Sequence, residues 1–217
     1  SLPTGKTPEH FIYWVSRILK DWTKPEIEEK LKTVEIDLKK RPDMKKIKFV
    51  QIDEFYPIDS AQHNSFYYYI QKYYMKNFGL DANNALLIDV NKIGTAENLP
   101  LDNIFPEKIV DLSLRTRMPS TRLERLQKET IEIVDEYCTQ YEKKIREMGG
   151  IGFFLGGIGP DGHIGFNVQG SDHFSSTRLI ATNYQTQAAA STDLGGIEIA
   201  ANRLVITIGL DTITYNK

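Results

Sequence analysis

The residues best suited to chemistry lie in one glycine-rich run, Gly156-Gly157-Ile158-Gly159-Pro160-Asp161-Gly162-His163-Ile164-Gly165-Phe166-Asn167. Five glycines in ten residues permit a backbone path that ordinary residues resist, and Asp161 stands two residues before His163. That spacing brings a carboxylate and an imidazole within reach of one bound substrate. Histidine is the side chain most often used for acid–base work near neutral pH. His10, His63 and His173 lack such a setting. A metal site needs several convergent ligands, which one isolated histidine among scattered carboxylates does not supply, so no metal is expected.

Two further motifs could serve the same chemistry. Leu2-Pro3-Thr4-Gly5-Lys6-Thr7-Pro8 opens a helix, and a helix start offers free N–H groups and the positive end of the macrodipole. A glycine flanked by hydroxyls and a lysine suits a phosphate there, although the spacing is not that of a Walker loop and an ordinary capped helix would read the same way. Asp53-Glu54 closes a short apolar run. Neighbouring strand residues point to opposite sides, so only one of the two faces a cleft, and Asp53 is the better candidate for a base. The alternative is that one carboxylate caps the following turn while the other is solvated.

Strands and helices must alternate to position these motifs. Helical faces recur over residues 8 to 22, with Thr7-Pro8 as N-cap and first-turn proline, and again after Thr23 through Leu38, where Arg41-Pro42-Asp43 breaks the pattern. A Tyr-rich helical stretch spans 64 to 78, and the longest helix runs from about Ser120 to Met148 before Gly149-Gly150. Strands are expected at 46–52, 85–90, 151–155, 178–181 and 204–209, with a small-residue helix between the last two. Near-continuous apolar strands alternating with helices predict an α/β fold, with a mostly parallel sheet and helices on both faces. Ligands of such sheets sit beyond the carboxyl ends of the strands, where all three motifs fall.

Composition narrows the function classes. The 217 residues include 41% hydrophobic and 26% charged, enough for one full core, with neither repeats nor low-complexity segments. The 27 Lys+Arg nearly balance 29 Asp+Glu for a net charge of −2, which provides no broad basic face for a nucleic acid. A single cysteine, Cys138, excludes an internal disulfide framework and fits a reducing, cytoplasmic setting. No apolar run approaches the ~18 residues of a membrane span, and the first residues do not form a signal peptide.

Taken together and in order, Leu2-Pro3-Thr4-Gly5-x-Thr7-Pro8, Ile52-Asp53-Glu54-Phe55, the segment Glu136 to Ile145 and the glycine run resemble the glucosamine-6-phosphate deaminase/isomerase family. The resemblance covers essentially the whole chain. The Gly–Asp–Gly–His segment is shared with 6-phosphogluconolactonases, whereas Ile164-Gly165-Phe166-Asn167 and Asp53-Glu54-Phe55 are closer to the deaminases. It implies a modified Rossmann-like domain acting on a small-molecule sugar phosphate by aldose–ketose isomerisation with amine release, without a cofactor. A lactonase-like hydrolase and a sugar-phosphate-binding domain with impaired catalysis are the alternatives, and the resemblance is compatible with a homo-oligomer.

Carried over by position, Thr4, Gly5, Lys6 and Thr7 would hold the phosphate, with Glu54, Gly156, Gly157 and Gly159 around the substrate. Asp53 would move a proton between C1 and C2, and His163, helped by Asp161, would assist ring opening. Two departures stand out. Val168 replaces a Glu that pairs with the histidine in the family, and Thr192 stands where a phosphate-binding Arg is usual. Residues 1–217 are read as one domain. The phosphate loop begins at Ser1 and the chain stops just past a predicted strand, so the expectation is a fragment lacking N-terminal and C-terminal elements.

Overall fold

The computed structural model describes residues 1–5, 7–159, 161–194, 200 and 202–215, without the side chains of 189, 190 and 192–194. Helix α1 (Glu9–Lys20) buries Ile12 and Leu19, and it carries Glu9 in its first turn and Arg17 and Lys20 in its last, as the macrodipole favours. The cap position is Pro8, with no side-chain cap bond, so Thr7 is not the N-cap. Helix α2 (Pro25–Thr33) buries Ile27 and Leu31 and stops well before the predicted break. The Ile36 N–H returns to the Leu31 carbonyl at 3.0 Å, with Glu35 left-handed at φ 59°, which turns the chain away and leaves Val34 exposed.

Strand β1 (Phe49–Val50) pairs in parallel with β3 (Ala85–Leu86), Phe49 opposite Ala85. Strand β2 (Asp53–Tyr56) pairs antiparallel with β5 (Leu204–Thr207), which is flanked on its other side by antiparallel β4 (Arg178–Ala181). Asp53, Thr207 and Arg178 thus form one row across this sheet. The fold is therefore mixed, and parallel pairing is confined to β1 and β3 among the described residues. This corrects the expected mostly parallel sheet. A central strand of a covered antiparallel sheet is buried on both faces, as all of Leu204–Thr207 is, and its apolar run cannot be told from that of a parallel strand.

Two expected strands are shortened for a visible reason. After Leu86 the β3 ladder gives way to a side chain, because the Ile88 N–H bonds to Gln51 Oε1 at 2.9 Å. The 151–155 segment forms no strand; its backbone partner is Ser1, bonded to the Phe153 carbonyl at 2.8 Å and the Leu155 N–H at 3.1 Å.

Short α3 (Phe66–Ile70) runs through a π turn at Gln71–Met75 into α4 (Lys76–Phe78), so the Tyr-rich stretch is helical throughout. After α5 (Leu101–Ile104) comes α6 (Arg122–Glu147), capped by Thr121, whose Oγ1 accepts the Glu124 N–H at 3.1 Å. It buries Ile131, Val134, Cys138, Tyr141 and Ile145 against Val50, Ile52, Ile88, Leu179 and Ile206, which makes it the backbone of the main core. Helices α7 (Tyr184–Leu194) and α8 (Leu210–Thr214) follow β4 and β5. No described helix is long and apolar enough to cross a membrane.

The buried Tyr141 hydroxyl lies 2.8 Å from the Gln51 carbonyl and 3.0 Å from that of Leu86, so it reaches both sides of the junction between the two sheets. Tyr141→Phe removes that donor at almost constant volume and is expected to cost about 1–2 kcal/mol in a urea melt. An unchanged midpoint would show that the carbonyls are satisfied without it.

Candidate active site

The loop before α1 is held from behind. Tyr74 on the π turn donates to the Pro3 carbonyl at 2.5 Å, and Tyr69 on α3 donates to that of Gly5 at 2.8 Å. Gly5 sits at φ 83°, a conformation that a residue with a β-carbon resists. Two phenols thus fix a left-handed turn whose neighbours, Thr4 and Thr7, line a cleft of about 190 Å³. Ile52, Asp53, Phe66, His163 and Phe166 share the lining, together with Gly156, Gly157 and Gly159.

The two adjacent carboxylates have opposite fates. Glu54 is fully buried and accepts four hydrogen bonds, from the N–H groups of Phe55, Phe66 and Tyr67 and from Ser65 Oγ, at 2.7 to 3.0 Å. It stitches β2 to the start of α3 as a capping group and, contrary to its expected place around the substrate, does not line the cleft. Burial still outweighs those bonds and pushes its carboxyl up to about 7. Asp53 faces the cleft, and among the described residues no hydrogen bond holds its side chain. Burial, with the neighbouring Glu54 charge, pushes it up to about 8.

The glycine run folds as a small hairpin, with Ile158 bridged to Ile164 and the Gly159 N–H bonded to the His163 carbonyl at 2.9 Å. A β-carbon on Gly159 would run into the His163 ring. The imidazole stacks on Phe166, with centroids 5.7 Å apart at 15°, and its Nδ1 lies 2.5 Å from Asp161 Oδ1. Asn183 Nδ2 donates to the other oxygen of Asp161 at 2.5 Å. The Asn183 bond first, then the imidazole, hold the Asp161 carboxyl below its ordinary range. Thr186 Oγ1 lies 3.1 Å from the same Nδ1.

These features can be set beside known proteins. No family model matches the chain. It is 43% identical over 79 residues to a glucosamine-6-phosphate deaminase of Caenorhabditis elegans, covering 36% of this chain and 30% of that protein. It is 39% identical over 84 residues to a glucosamine-6-phosphate isomerase of Candida albicans, covering 39% and 34%. Over a longer stretch of 169 residues it is 28% identical to human glucosamine-6-phosphate deaminase 2, covering 78% of this chain and 47% of that one. These segments make the chain similar to glucosamine-6-phosphate deaminases and isomerases. A solved monomeric glucosamine-6-phosphate deaminase, described as a missing link of the NagB superfamily, superposes with a TM-score of 0.62 at 21% identity, over 98% of this chain and 64% of its own, and so shares the fold. The chain spans less than half the length of the curated relatives it matches.

Against this family background, Asp53, His163, Asp161, Thr4, Gly5, Thr7 and the three glycines gather in or beside one cleft, and Glu54 stands apart from it. Lys6, Pro160 and the Thr192 side chain lie outside the described residues. Tyr69, Tyr74, Asn183 and Thr186 were missed by sequence reasoning. The two tyrosines belong to what reads only as a Tyr-rich helical stretch, and Asn183, just ahead of the small-residue helix, offers at most a local capping pattern.

Gly159→Ala is expected to push the imidazole off Phe166 and break the Asp161 bond, which a shift of the His163 ring resonances by NMR would register; unchanged resonances would contradict the close approach. Asp53 and Glu54 both bind protons more tightly folded than unfolded, so stability should be full below about pH 4 and decline as pH rises toward about 8. Asp53→Asn should flatten the upper part of that decline in thermal melts taken from pH 5 to 9, and an identical slope in the variant would argue against the buried, protonated carboxyl.

Proposed function

We propose that this chain carries the active site of an amino-sugar-phosphate deaminase/isomerase that interconverts aldose and ketose forms and releases the amine. The observation that carries the reading is that Asp53, a carboxylate with no side-chain hydrogen bond among the described residues, and a carboxylate-paired imidazole, His163, line one cleft with Thr4 and Thr7. The curated relatives named above support the substrate class, glucosamine 6-phosphate.

In this reading the phosphate rests against the Thr4–Thr7 loop at the start of α1, where N–H groups, hydroxyls and the helix dipole favour an anion. His163, with Nδ1 held by Asp161, presents its other ring nitrogen to the sugar and exchanges a proton with the ring oxygen as the ring opens. Asp53 then takes the proton from C2 and returns it to C1. The bond from C2 to the amine becomes that of an imine, which water hydrolyses to the ketose phosphate and ammonia. A carboxyl raised by burial is a stronger base once ionised, at the cost of being mostly protonated at neutral pH. Val168 in place of the family Glu is compatible with this scheme, because Asp161 supplies a carboxylate to the imidazole. The buried Cys138 thiol, pushed up to about 12 by burial, lies outside the cleft lining and has no role in this scheme.

The protein is expected to release ammonia from glucosamine 6-phosphate, with kcat/KM rising about tenfold per pH unit up to an inflection near 8, where Asp53 ionises. Asp53→Asn should lower the rate by about 10³-fold or more. No ammonia from the wild type, or a flat pH profile with full activity in Asp53→Asn, would refute the proposal.

A further inference from the structure

The assignment of His163 as the acid–base group leaves open what holds its ring, since Val168 cannot. The described residues supply a chain of contacts that ends on α7. Asn183 immediately precedes that helix, and its Oδ1 accepts the Thr186 N–H at 2.9 Å, the geometry of an N-cap. Its other amide atom, Nδ2, donates to Asp161 Oδ2 at 2.5 Å. The two ends of one side chain therefore join the helix start to the carboxylate that grips His163. The Thr186 hydroxyl, one turn into the helix and buried, closes on the imidazole Nδ1 at 3.1 Å.

We propose that Asn183 and Thr186 are positioning residues that fix the tautomer and orientation of His163, Asn183 through Asp161 and Thr186 at the ring itself. The inference rests on the functional reading above. The amide donor on Oδ2, with the imidazole, holds the Asp161 carboxyl below its ordinary range and so ionised, and an ionised carboxylate only accepts, so its Oδ1 takes a hydrogen from Nδ1. The Nδ1–H tautomer is then the one present in the neutral ring, and Nε2 is the nitrogen left for the substrate. Among the described residues, the titratable groups that face the ring are Asp161 on the hairpin and Asp53 across the cleft; α7 contributes the uncharged Asn183 and Thr186. The ring is thus held by the Asp161 carboxylate, which Asn183 orients, with the uncharged Thr186 at the same edge.

Asn183→Asp separates this role from simple capping, because aspartate caps a helix as well as asparagine does. It keeps the acceptor for Thr186 and replaces the donor by an oxygen pointed at Asp161. The expected result is an unchanged thermal melt, loss of the single Nδ1–H signature of His163 in ¹⁵N NMR of the ring, and a fall in kcat of about 10- to 100-fold with KM within about twofold. Thr186→Val, equal in size and lacking the hydroxyl, should move kcat the same way by a smaller factor, and it serves as the test should Asn183→Asp fail to fold. An unaltered ring spectrum in the folded variants would overturn the proposal whatever the turnover. A wild type without turnover whose ring spectrum still changes in Asn183→Asp would remove the enzymatic reading and leave the clamp standing.

Discussion

The structure depends on a single buried amide at the point where the chain leaves one sheet for the other. Gln51 is fully buried, its N–H pairs with the Leu86 carbonyl at 3.0 Å, and its own carbonyl takes the Tyr141 hydroxyl. Its side chain spans the seam, accepting from the Ile88 N–H at 2.9 Å and donating to the Asp53 carbonyl at 2.8 Å. Each polar group that a change of sheet partner would strand in the core is satisfied by one residue and one phenol. The register of β2, and with it the direction of the Asp53 side chain, follows from that seam.

Beyond the seam, the chemistry is set by how two neighbouring carboxyls are treated. Strand geometry sends them to opposite sides, and one side meets the free N–H groups that begin α3 while the other meets the cleft. Glu54 spends its acceptor capacity on the backbone and joins sheet to helix. Asp53 is desolvated as well and takes no hydrogen bond among the described residues, which favours its protonated form. Opposite it, Asp161 and His163 satisfy each other, and Asn183 satisfies the remaining carboxylate oxygen.

Much of this was legible in the residues. The 3.6-residue period from Ser120 to Met148 marked α6 within two residues at its start and one at its end, because a long amphipathic face leaves little freedom. The glycine run pointed at His163 and Asp161, and alternation along the strand pointed at Asp53. Strand direction was hidden, since a covered central strand is apolar whichever way its neighbours run. The cap made by Glu54 had been one of two readings of the acidic pair, and only the placement of α3 decides it. Asn183 reaches Asp161 across 22 sequence positions and Thr186 reaches His163 across 23, a proximity that no local pattern carries.

The aromatic wall behind the imidazole has a consequence for hydrogen traffic. Phe166 covers one face of the ring and is itself backed by Phe55 and Phe66, with centroids 5.7 and 6.3 Å away. Asp161 and Thr186 occupy the Nδ1 edge, so the cleft is the route by which His163 exchanges with bulk water. Asp53 opens onto the same cleft. A ligand that fills this space covers both groups at once, and in the proposed isomerisation a hydrogen taken up by Asp53 would then be handed back to the same molecule instead of exchanging with solvent.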